Sequence, residues 1–355
     1  MLFIKTFKNE KEKKMKKFIT LLLALLMVFS LVGCSNTDSG DDSGSDDDTF
    51  KVAVMPAYVP EEWSQTIIES AQAACDYYGY EMTVLDPDYD VNNQIARMED
   101  AATAYDALIM QCVNGTALIE KCKEVQEQGL IVVDFDCLIA NTGSIESPAD
   151  GSIKSNDQEG GAVSLDYLVE AVGDDATIFV YEETPGVDTG LFRNTGLLEA
   201  AKEKYPNLTI LEGRSTGTGD SRVLVKDYFT DQLTAHPEIE AFFGYFGDAG
   251  IGAYVATDEL GRKDVKLACY DATDDQINYM KTDPECNIVS TVNNNPGMLG
   301  GAAVEIVHAI KDWGYTKRSA DDVFQLSNDY ITLADVSTHE IPMWSEPIYT
   351  EDDFK

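Results

Sequence analysis

Histidine is scarce in this sequence, and its cysteines do not occur in the close pairs that metal sites use. The three histidines, His236, His308 and His339, lie far apart, and none of the seven cysteines belongs to a Cys-x-x-Cys pair. A structural zinc ion needs about four nitrogen or sulfur ligands brought together by short spacings. We therefore expect no metal site and no cofactor.

Basic residues are also few. The 355 residues include 26 lysines and arginines against 63 aspartates and glutamates, which gives a formal net charge of −37. Proteins bind nucleic acids through clustered lysines and arginines that neutralise the phosphates. We expect no nucleic-acid partner, although the acidity of the chain identifies no other partner.

Apolar runs of membrane-spanning length are missing as well. The longest run covers only residues 18–32, whereas a helix needs about 20 residues to cross a bilayer. It follows two lysines and ends in LVGC at residues 31–34, a stretch that resembles the lipobox of bacterial lipoproteins. We predict that residues 1–33 are a signal peptide with a lipobox and that Cys34 carries the lipid. Whether translation starts at Met1 or Met15 stays open.

The segment that follows, residues 34–49, is acidic and has no apolar side chain after its cysteine. Such a segment can bury nothing and repels itself, so we predict a disordered tether. Lipid and tether together predict a protein held on the exterior face of the bacterial cell membrane. Export permits disulfides, but a domain of this size does not need them, so the pairing of the other six cysteines stays open.

From Phe50 onward, apolar runs of strand length alternate with amphipathic stretches of helical length. FKVAVM, DALIMQC and LIVVDF indicate buried strands, and Gly79 fits the end of a helix. This alternation predicts an α/β fold with mostly parallel sheets covered on both faces. The pattern fits either two doubly wound lobes or one (β/α)₈ barrel. Both architectures bind ligands at the carboxyl ends of strands, where Asp136 and Asp271 lie.

Several longer stretches resemble one family. They are AACDYYGYEMTVLD at 73–86, SNDQEGGAVSLDYL at 155–168, FRNTGLLEA at 192–200, LACYDATDD at 267–275 and TVNNNPGMLGGAAVE at 291–305. From Phe50 to its end, the chain resembles the ribose/galactose-type substrate-binding proteins of bacterial ABC transporters.

This resemblance implies the type I periplasmic-binding-protein fold, which has two Rossmann-like lobes with parallel sheets and a three-segment hinge. The crossings are expected near 150–156, 293–296 and 326–332. The implied lobes are 50–153 plus 295–325 for the N-terminal lobe, and 154–294 plus 326–355 for the C-terminal lobe.

The resemblance also implies a function. The protein would be a monomer without enzymatic activity that captures a small solute, most simply a monosaccharide, in the cleft between its lobes. Closure about the hinge would bury the solute, and the closed form would deliver it to the permease and ATPase subunits of an importer. Presentation of the solute to a chemotaxis or sensor protein, or a surface enzyme acting on carbohydrate, are the alternatives.

The ligand-binding residues implied by the family motifs combine hydroxyl-binding polar groups with stacking aromatics. The first set is Trp63, Asp136, Asn156, Arg193, Asp271 and Asn294. A second set, expected to lie around the same ligand, is Glu61, Phe135, Tyr245, Phe246 and Asp248. Asp134 either belongs with them or only caps local backbone.

Three departures from the family motifs bear on the ligand. Cys137 stands where many sugar binders have arginine or lysine, Phe246-Gly247 replaces an Asn-Asp pair, and the first loop reads VPEEW. The site therefore loses donors and gains acidic and aromatic side chains. A neutral sugar still fits, and an amino sugar or a nucleoside becomes more plausible than in a ribose binder.

Overall fold

The computed structural model describes residues 49–182, 185–216 and 220–355. The predicted signal peptide, Cys34 and all of the predicted tether except Thr49 lie outside these residues. Within the described part of the chain, no helix combines the length and the apolar character needed to cross a bilayer.

Helices and strands alternate along most of the described chain. In chain order they are β1 (Lys51–Met55), α1 (Glu62–Tyr78), β2 (Glu81–Val84), α2 (Val91–Ala104), β3 (Ala107–Met110), α3 (Gly115–Gln126), β4 (Ile131–Phe135), β5 (Gly151–Ser155), α4 (Asp157–Val172), β6 (Thr177–Val180), α5 (Asp188–Lys204), β7 (Thr209–Glu212), α6 (Ser221–Ala235), β8 (Ala241–Phe243), α7 (Gly247–Glu259), β9 (Lys266–Tyr270), α8 (Asp274–Thr282), β10 (Ile288–Asn293), α9 (Pro296–His308), β11 (Phe324–Leu326) and β12 (Asp329–Thr332). A π-helical turn, Ala309–Trp313, extends α9, and a 3₁₀ turn, Glu351–Phe354, lies at the end of the chain.

The strands of the described residues form two separate six-stranded sheets, one in each lobe. The N-terminal lobe has the order β11-β5-β4-β3-β1-β2 with every pair parallel. The C-terminal lobe has the order β12-β10-β9-β8-β6-β7, and only β12 is antiparallel to its neighbour. Two parallel sheets of this kind are doubly wound lobes, so the barrel alternative does not apply.

Close helix packing covers the sheet of the N-terminal lobe. Helix α9 lies against α1, and a β-carbon added at Gly300 would come within 2.2 Å of the carbonyl oxygen of Ile67. The strands beneath are apolar and buried, as in Ala107–Met110, where all four residues are buried. Strands buried on both faces read as continuous apolar runs, which is why the sequence pattern located them.

The chain crosses between the lobes at three adjacent points: after β5, between β10 and α9, and between β11 and β12. The amide of Asn295 donates to the carbonyl oxygen of Ser327 at 2.6 Å, and the amide of Asn328 donates to that of Asn156 at 2.6 Å. Side chains therefore tie the three hinge segments to one another.

The C-terminal segment departs from the predicted lobe boundary. After β12 the chain returns to the N-terminal lobe, where Trp344 and Phe354 are buried in that lobe's core. The Trp344 ring occupies the space where a side chain at Gly301 of α9 would lie. Assigning all of 326–355 to the C-terminal lobe is thus wrong for this last part, because its aromatic side chains cover α9.

The six described cysteines are buried, and none of them forms a disulfide. Cys112 and Cys137 are neighbours in the structure, since the backbone N–H of Cys112 donates to the carbonyl oxygen of Cys137 at 3.0 Å. Both thiols are thus part of the packing at the ends of β3 and β4.

Candidate functional site

A cavity of about 1030 Å³ lies between the lobes, at the carboxyl ends of strands from both sheets. This edge is where doubly wound sheets place their ligands. The described residues that line it are Ala57, Tyr58, Pro60, Glu61, Glu62, Trp63, Asp88, Tyr89, Asp90, Asn93, Gln111, Cys112, Asp136, Cys137, Val187, Thr189, Arg193, Asp220, Ser221, Arg222, Tyr245, Phe246, Asp248, Asp271, Thr273 and Asn294.

Asp136 follows β4 and has a left-handed backbone conformation with φ of 58°. Its side chain is 4% exposed and accepts a hydrogen bond from Gln111 Nε2 at 2.8 Å. Burial raises the pKa of Asp136, while the charge of Arg193 opposes that rise. The Asp136 carboxylate therefore provides a hydrogen-bond acceptor at the cavity, on the side of the N-terminal lobe.

Arg193, on α5, connects the lobes. Its Nε donates to Asp157 at 2.8 Å, its Nη1 donates to the carbonyl oxygen of Tyr245 at 2.8 Å, and its Nη2 lies 3.4 Å from Asp136 Oδ1. The guanidinium lies over the ring of Tyr270, 4.1 Å from its centroid. Most of its donors are thus already engaged by protein acceptors.

Asp271 follows β9 in the C-terminal lobe and repeats the left-handed conformation, with φ of 73°. Its Oδ2 accepts from the backbone N–H of Gly247 at 2.8 Å, and its Oδ1 accepts from Asn294 Nδ2 at 3.2 Å. Burial raises the pKa of Asp271 to about 6, with Arg193 acting in the opposite direction.

Trp63 and Asn294 connect this carboxylate to the N-terminal lobe. Trp63 Nε1 donates to Asn294 Oδ1 at 2.9 Å, and the ring is 6% exposed. Its centroid lies 6.4 Å from that of Phe135, within the core. Trp63 therefore presents only a small part of its ring to the cavity.

The start of α1 contributes two carboxyl groups. Glu62 Oε1 accepts from the backbone N–H of Asp274 at 2.6 Å, a contact between the lobes. Glu61 faces the cavity, and burial together with the negative charges of Asp271, Asp248 and Asp136 raises the pKa of Glu61 to about 8. A proton on Glu61 therefore lowers the repulsion in this part of the cavity.

Aromatic side chains line the opposite wall. The ring centroids of Tyr245 and Phe246 are 4.7 Å apart, and Tyr245 stacks on Tyr181 at 5.9 Å. These rings offer apolar faces of the kind that pack on the C–H faces of a sugar.

Nine of the eleven residues expected at the ligand line this cavity, and two do not. Asn156 caps α4, since its Oδ1 accepts from the Glu159 N–H and its Nδ2 donates to Glu159 Oε2 at 2.9 Å. Phe135 is fully buried in the core of the N-terminal lobe. Their predicted position at the ligand is therefore wrong. The Asn156 side chain is used to cap α4, and the Phe135 ring lies on the side of its strand that faces the core, away from the cavity.

Asp134 is buried and caps local backbone. Its Oδ2 accepts from the Ile139 N–H at 2.7 Å and from Ser147 Oγ at 2.5 Å. Cys137, by contrast, lines the cavity where the family motif would place a donor. A thiol is a weak donor, so this wall offers little to a ligand oxygen.

Sequence reasoning missed several lining residues, among them Gln111, Tyr89 and Arg222. Gln111 follows β3 directly, as Asp136 follows β4. Its position after an apolar run could therefore have identified it as a cavity residue. Arg222 pairs with Asp248 through Nε at 2.6 Å and with Asp275 through Nη1 at 2.5 Å. Nothing in the local sequence around Arg222 indicated that it reaches the cavity.

The described residues include no group of three or more histidine, cysteine, aspartate or glutamate side chains that is arranged to hold a metal ion.

Comparison with known proteins identifies the family of the chain. The periplasmic binding protein domain matches residues 52–314. The ribose import binding protein of Salmonella typhimurium is 23% identical over 298 residues, covering 83% of this chain and 93% of that protein.

Similar solved structures include solute-binding proteins with bound sugars. A periplasmic solute-binding protein of an ABC transporter from Actinobacillus succinogenes, with bound D-allose, has a TM-score of 0.72 and 20% identity over 82% of this chain and 100% of its own. A solute-binding protein from Agrobacterium vitis, with bound α-D-tagatopyranose, has a TM-score of 0.72 and 18% identity over 82% and 98%. The two-lobed type I fold expected from the sequence is confirmed, and the chain belongs to the periplasmic binding protein family.

Proposed function

We propose that this protein is a binding protein without catalytic activity that captures one small sugar-like solute in the cavity between its lobes. Closure of the lobes retains the solute, and the closed form delivers it to the permease of an ABC importer. The protein works as a monomer outside the cytoplasm.

The single observation that carries this proposal is the set of polar groups at the two strand ends. Asp136 and Asp271 present carboxylates from opposite lobes, with Arg193 between them. Carboxylates accept from sugar hydroxyls, arginine donates to sugar oxygens, and the rings of Tyr245 and Phe246 suit a C–H face. Relatives and similar structures are described as binding ribose, D-allose and α-D-tagatopyranose, which supports a solute of monosaccharide size.

Contacts between the lobes support closure as the capture step. Arg193 of the C-terminal lobe reaches Asp136 of the N-terminal lobe, and Glu62 reaches the N-terminus of α8. A ligand that contacts both lobes favours the closed arrangement by its differential affinity for it.

A thermal-shift and calorimetric screen of the purified protein against pentoses, hexoses, amino sugars, polyols and nucleosides tests the proposal. A true ligand at about 100 times its Kd stabilises the folded state by about 2.7 kcal/mol. We expect at least one monosaccharide-sized compound to raise the melting temperature and to bind with one-to-one stoichiometry. If no compound does so, or if the pure protein hydrolyses a glycoside, the proposal fails.

We further propose that a lipid on Cys34 anchors the protein to the exterior face of the cell membrane. The LVGC stretch and the acidic residues that follow it support this. In a bacterial host that lipidates exported proteins, Cys34→Ser should move the protein from the membrane fraction to the soluble fraction. Equal membrane association of the variant and the parent would contradict the anchor.

A further inference from the structure

We propose that the solute carries a protonated amine and that Glu61 is the side chain that pairs with it, so that the preferred class is an amino sugar. This inference rests on the proposed function, because it assigns a ligand class to the same cavity. It replaces a neutral monosaccharide with a charged one. It also chooses the amino sugar over the nucleoside, the other ligand class that the sequence left open.

The charge of the cavity is the first reason. Among the described lining residues there are eight carboxyl side chains and two arginines, and no lysine. The carboxyl groups belong to Glu61, Glu62, Asp88, Asp90, Asp136, Asp220, Asp248 and Asp271. A cavity with an excess of one charge sign raises the local concentration of ligands of the opposite sign.

The two arginines offset only part of this excess, and carboxylates of the protein already engage both of them. Arg193 binds Asp157 and approaches Asp136, and Arg222 binds Asp248 and Asp275. A neutral sugar needs hydrogen-bond donors as well as acceptors from the protein. Most N–H donors of the two arginines already bind acceptors of the protein. An ammonium group supplies three donors of its own.

Glu61 is the carboxyl group in the best position for an ammonium. It precedes α1, its side chain makes no capping hydrogen bond, and it lines the cavity. The carboxyl group therefore faces the cavity, open to a ligand. The ionisable groups that face it are those of Asp136, Asp248, Asp271, Arg222 and Tyr89, with Glu62 beside it.

Its protonation state agrees with this role. Burial and the three aspartates raise the pKa of Glu61 to about 8, so the ligand-free side chain is mostly neutral near neutral pH. An ammonium beside it favours the carboxylate. Binding then forms an ammonium–carboxylate pair and releases the Glu61 proton to solvent.

The cation that fits is organic. The described residues offer no three-ligand metal cluster. The cavity wall instead carries the rings of Tyr58, Tyr89, Tyr245 and Phe246, and aromatic faces attract organic ammonium groups.

Matched triads of sugars provide the test. Glucosamine, galactosamine and mannosamine are each compared by calorimetry with the parent sugar and with the N-acetyl form, which has the same framework without the charge. We expect at least one free amine to bind with a Kd about ten-fold or more below both of its neutral counterparts. A parent sugar, an N-acetyl form or a nucleoside such as adenosine that binds as tightly as every free amine would overturn the inference and leave the proposed function standing. Absence of binding by all of these compounds would also overturn the inference, and the proposed function would still stand if a pentose or a polyol of the wider screen binds. Absence of binding by every compound of both sets would contradict both.

Glu61→Gln tests the assigned side chain, with Glu69→Gln on the exposed face of the same helix as its control. For the amine that binds, Glu61→Gln should reduce the preference over the parent sugar at least five-fold, whereas Glu69→Gln should leave it unchanged.

Proton release gives an independent readout. At about pH 6.5, where the sugar amine is protonated, calorimetry in buffers of different ionisation enthalpy should show nearly one proton released per ligand by the wild type. Glu61→Gln should release much less, limited to the part of a proton that Asp271, with a pKa of about 6, still holds at this pH. Equal proton release from both proteins, or an unchanged amine preference in Glu61→Gln, would show that another group pairs with the amine.

Discussion

Asp136 and Asp271 occupy equivalent places in the two lobes, each directly after a strand and each in a left-handed conformation. A positive φ is unusual for aspartate, and it turns the chain so that the carboxylate points along the end of the sheet. Arg193 lies between the two and approaches both carboxylates. We therefore expect the binding chemistry of the cavity to depend on these three side chains, which opposite lobes hold.

Removing either carboxylate should weaken binding without unfolding the protein. Asp136→Ala and Asp271→Ala should each lower the affinity for the ligand found in the screen by about 2 kcal/mol or more, because a buried ligand hydroxyl loses its partner. Calorimetry measures the loss, and Asp231→Ala, an exposed carboxylate on α6, is the control. Unchanged affinity in both cavity variants would show that these aspartates do not contact the ligand.

The pKa of Glu61 predicts how stability depends on pH. A carboxyl group with a raised folded-state pKa binds its proton more tightly in the folded state, so its contribution to stability falls as pH rises from the unfolded value near 4.5 to about 8. Ligand-free wild type should therefore lose stability relative to Glu61→Gln between these pH values. Melting temperatures measured across this range check it, and a constant difference between the two proteins would contradict the raised pKa.

At the scale of elements, the carboxyl end of the chain stabilises the N-terminal lobe through α9. Glu305 of this helix is buried and accepts hydrogen bonds from Trp344 Nε1 at 2.6 Å and from the backbone N–H groups of Ile348 and Tyr349 at 3.0 and 2.9 Å. One carboxylate thus satisfies three donors of a segment that has no strand to pair with.

Glu305→Gln should destabilise the protein by about 2 kcal/mol, because the amide NH₂ would face backbone N–H groups that then lose their acceptor. Chemical denaturation measures this loss. Glu340→Gln, at an exposed position in the same terminal segment, should have almost no effect. Similar stability of both variants would mean that the buried carboxylate is dispensable.

Much of the fold was predictable because its strands are buried on both faces. Apolar runs located the strands that contain Val52, Ile109 and Val133, and Gly79 ends α1 with φ of 72°, as expected. Strand β5, GSIKS, was missed, because it has one apolar residue and is buried through its contacts with β4 and β11.

The site was predictable at strand ends and less so elsewhere. Asp136 and Asp271 follow apolar runs, so their position could be inferred. Phe135 was misplaced because adjacent side chains of a strand point to opposite faces, which sends its ring into the core. Arg222 reaches the cavity from the start of a helix, and its partners Asp248 and Asp275 are distant in sequence.

At the scale of the whole molecule, polar contacts between described residues join the two lobes across the cavity. Glu62 reaches the N-terminus of α8, where backbone N–H groups and the helix dipole favour a carboxylate. This contact joins the two lobes, so it stabilises the closed arrangement.

Glu62→Ala should shift the ligand-free protein toward the open arrangement by about 1 kcal/mol, since one partly exposed charged hydrogen bond is lost. Small-angle scattering should show a larger radius of gyration for the ligand-free variant than for the wild type, and the same radius once ligand saturates both. Glu69→Ala should behave as wild type. An unchanged radius in ligand-free Glu62→Ala would mean that this contact does not hold the lobes together.

The asparagines that tie the three hinge segments constrain how the lobes can separate. Asn295 is bonded to Ser327 and Asn328 to Asn156, so no crossing can bend independently of its neighbour. We expect the lobes to rotate about one shared axis, without sliding or twisting past each other. The size of the solute then sets a single angle between the lobes. A membrane partner that binds the closed form would recognise that angle.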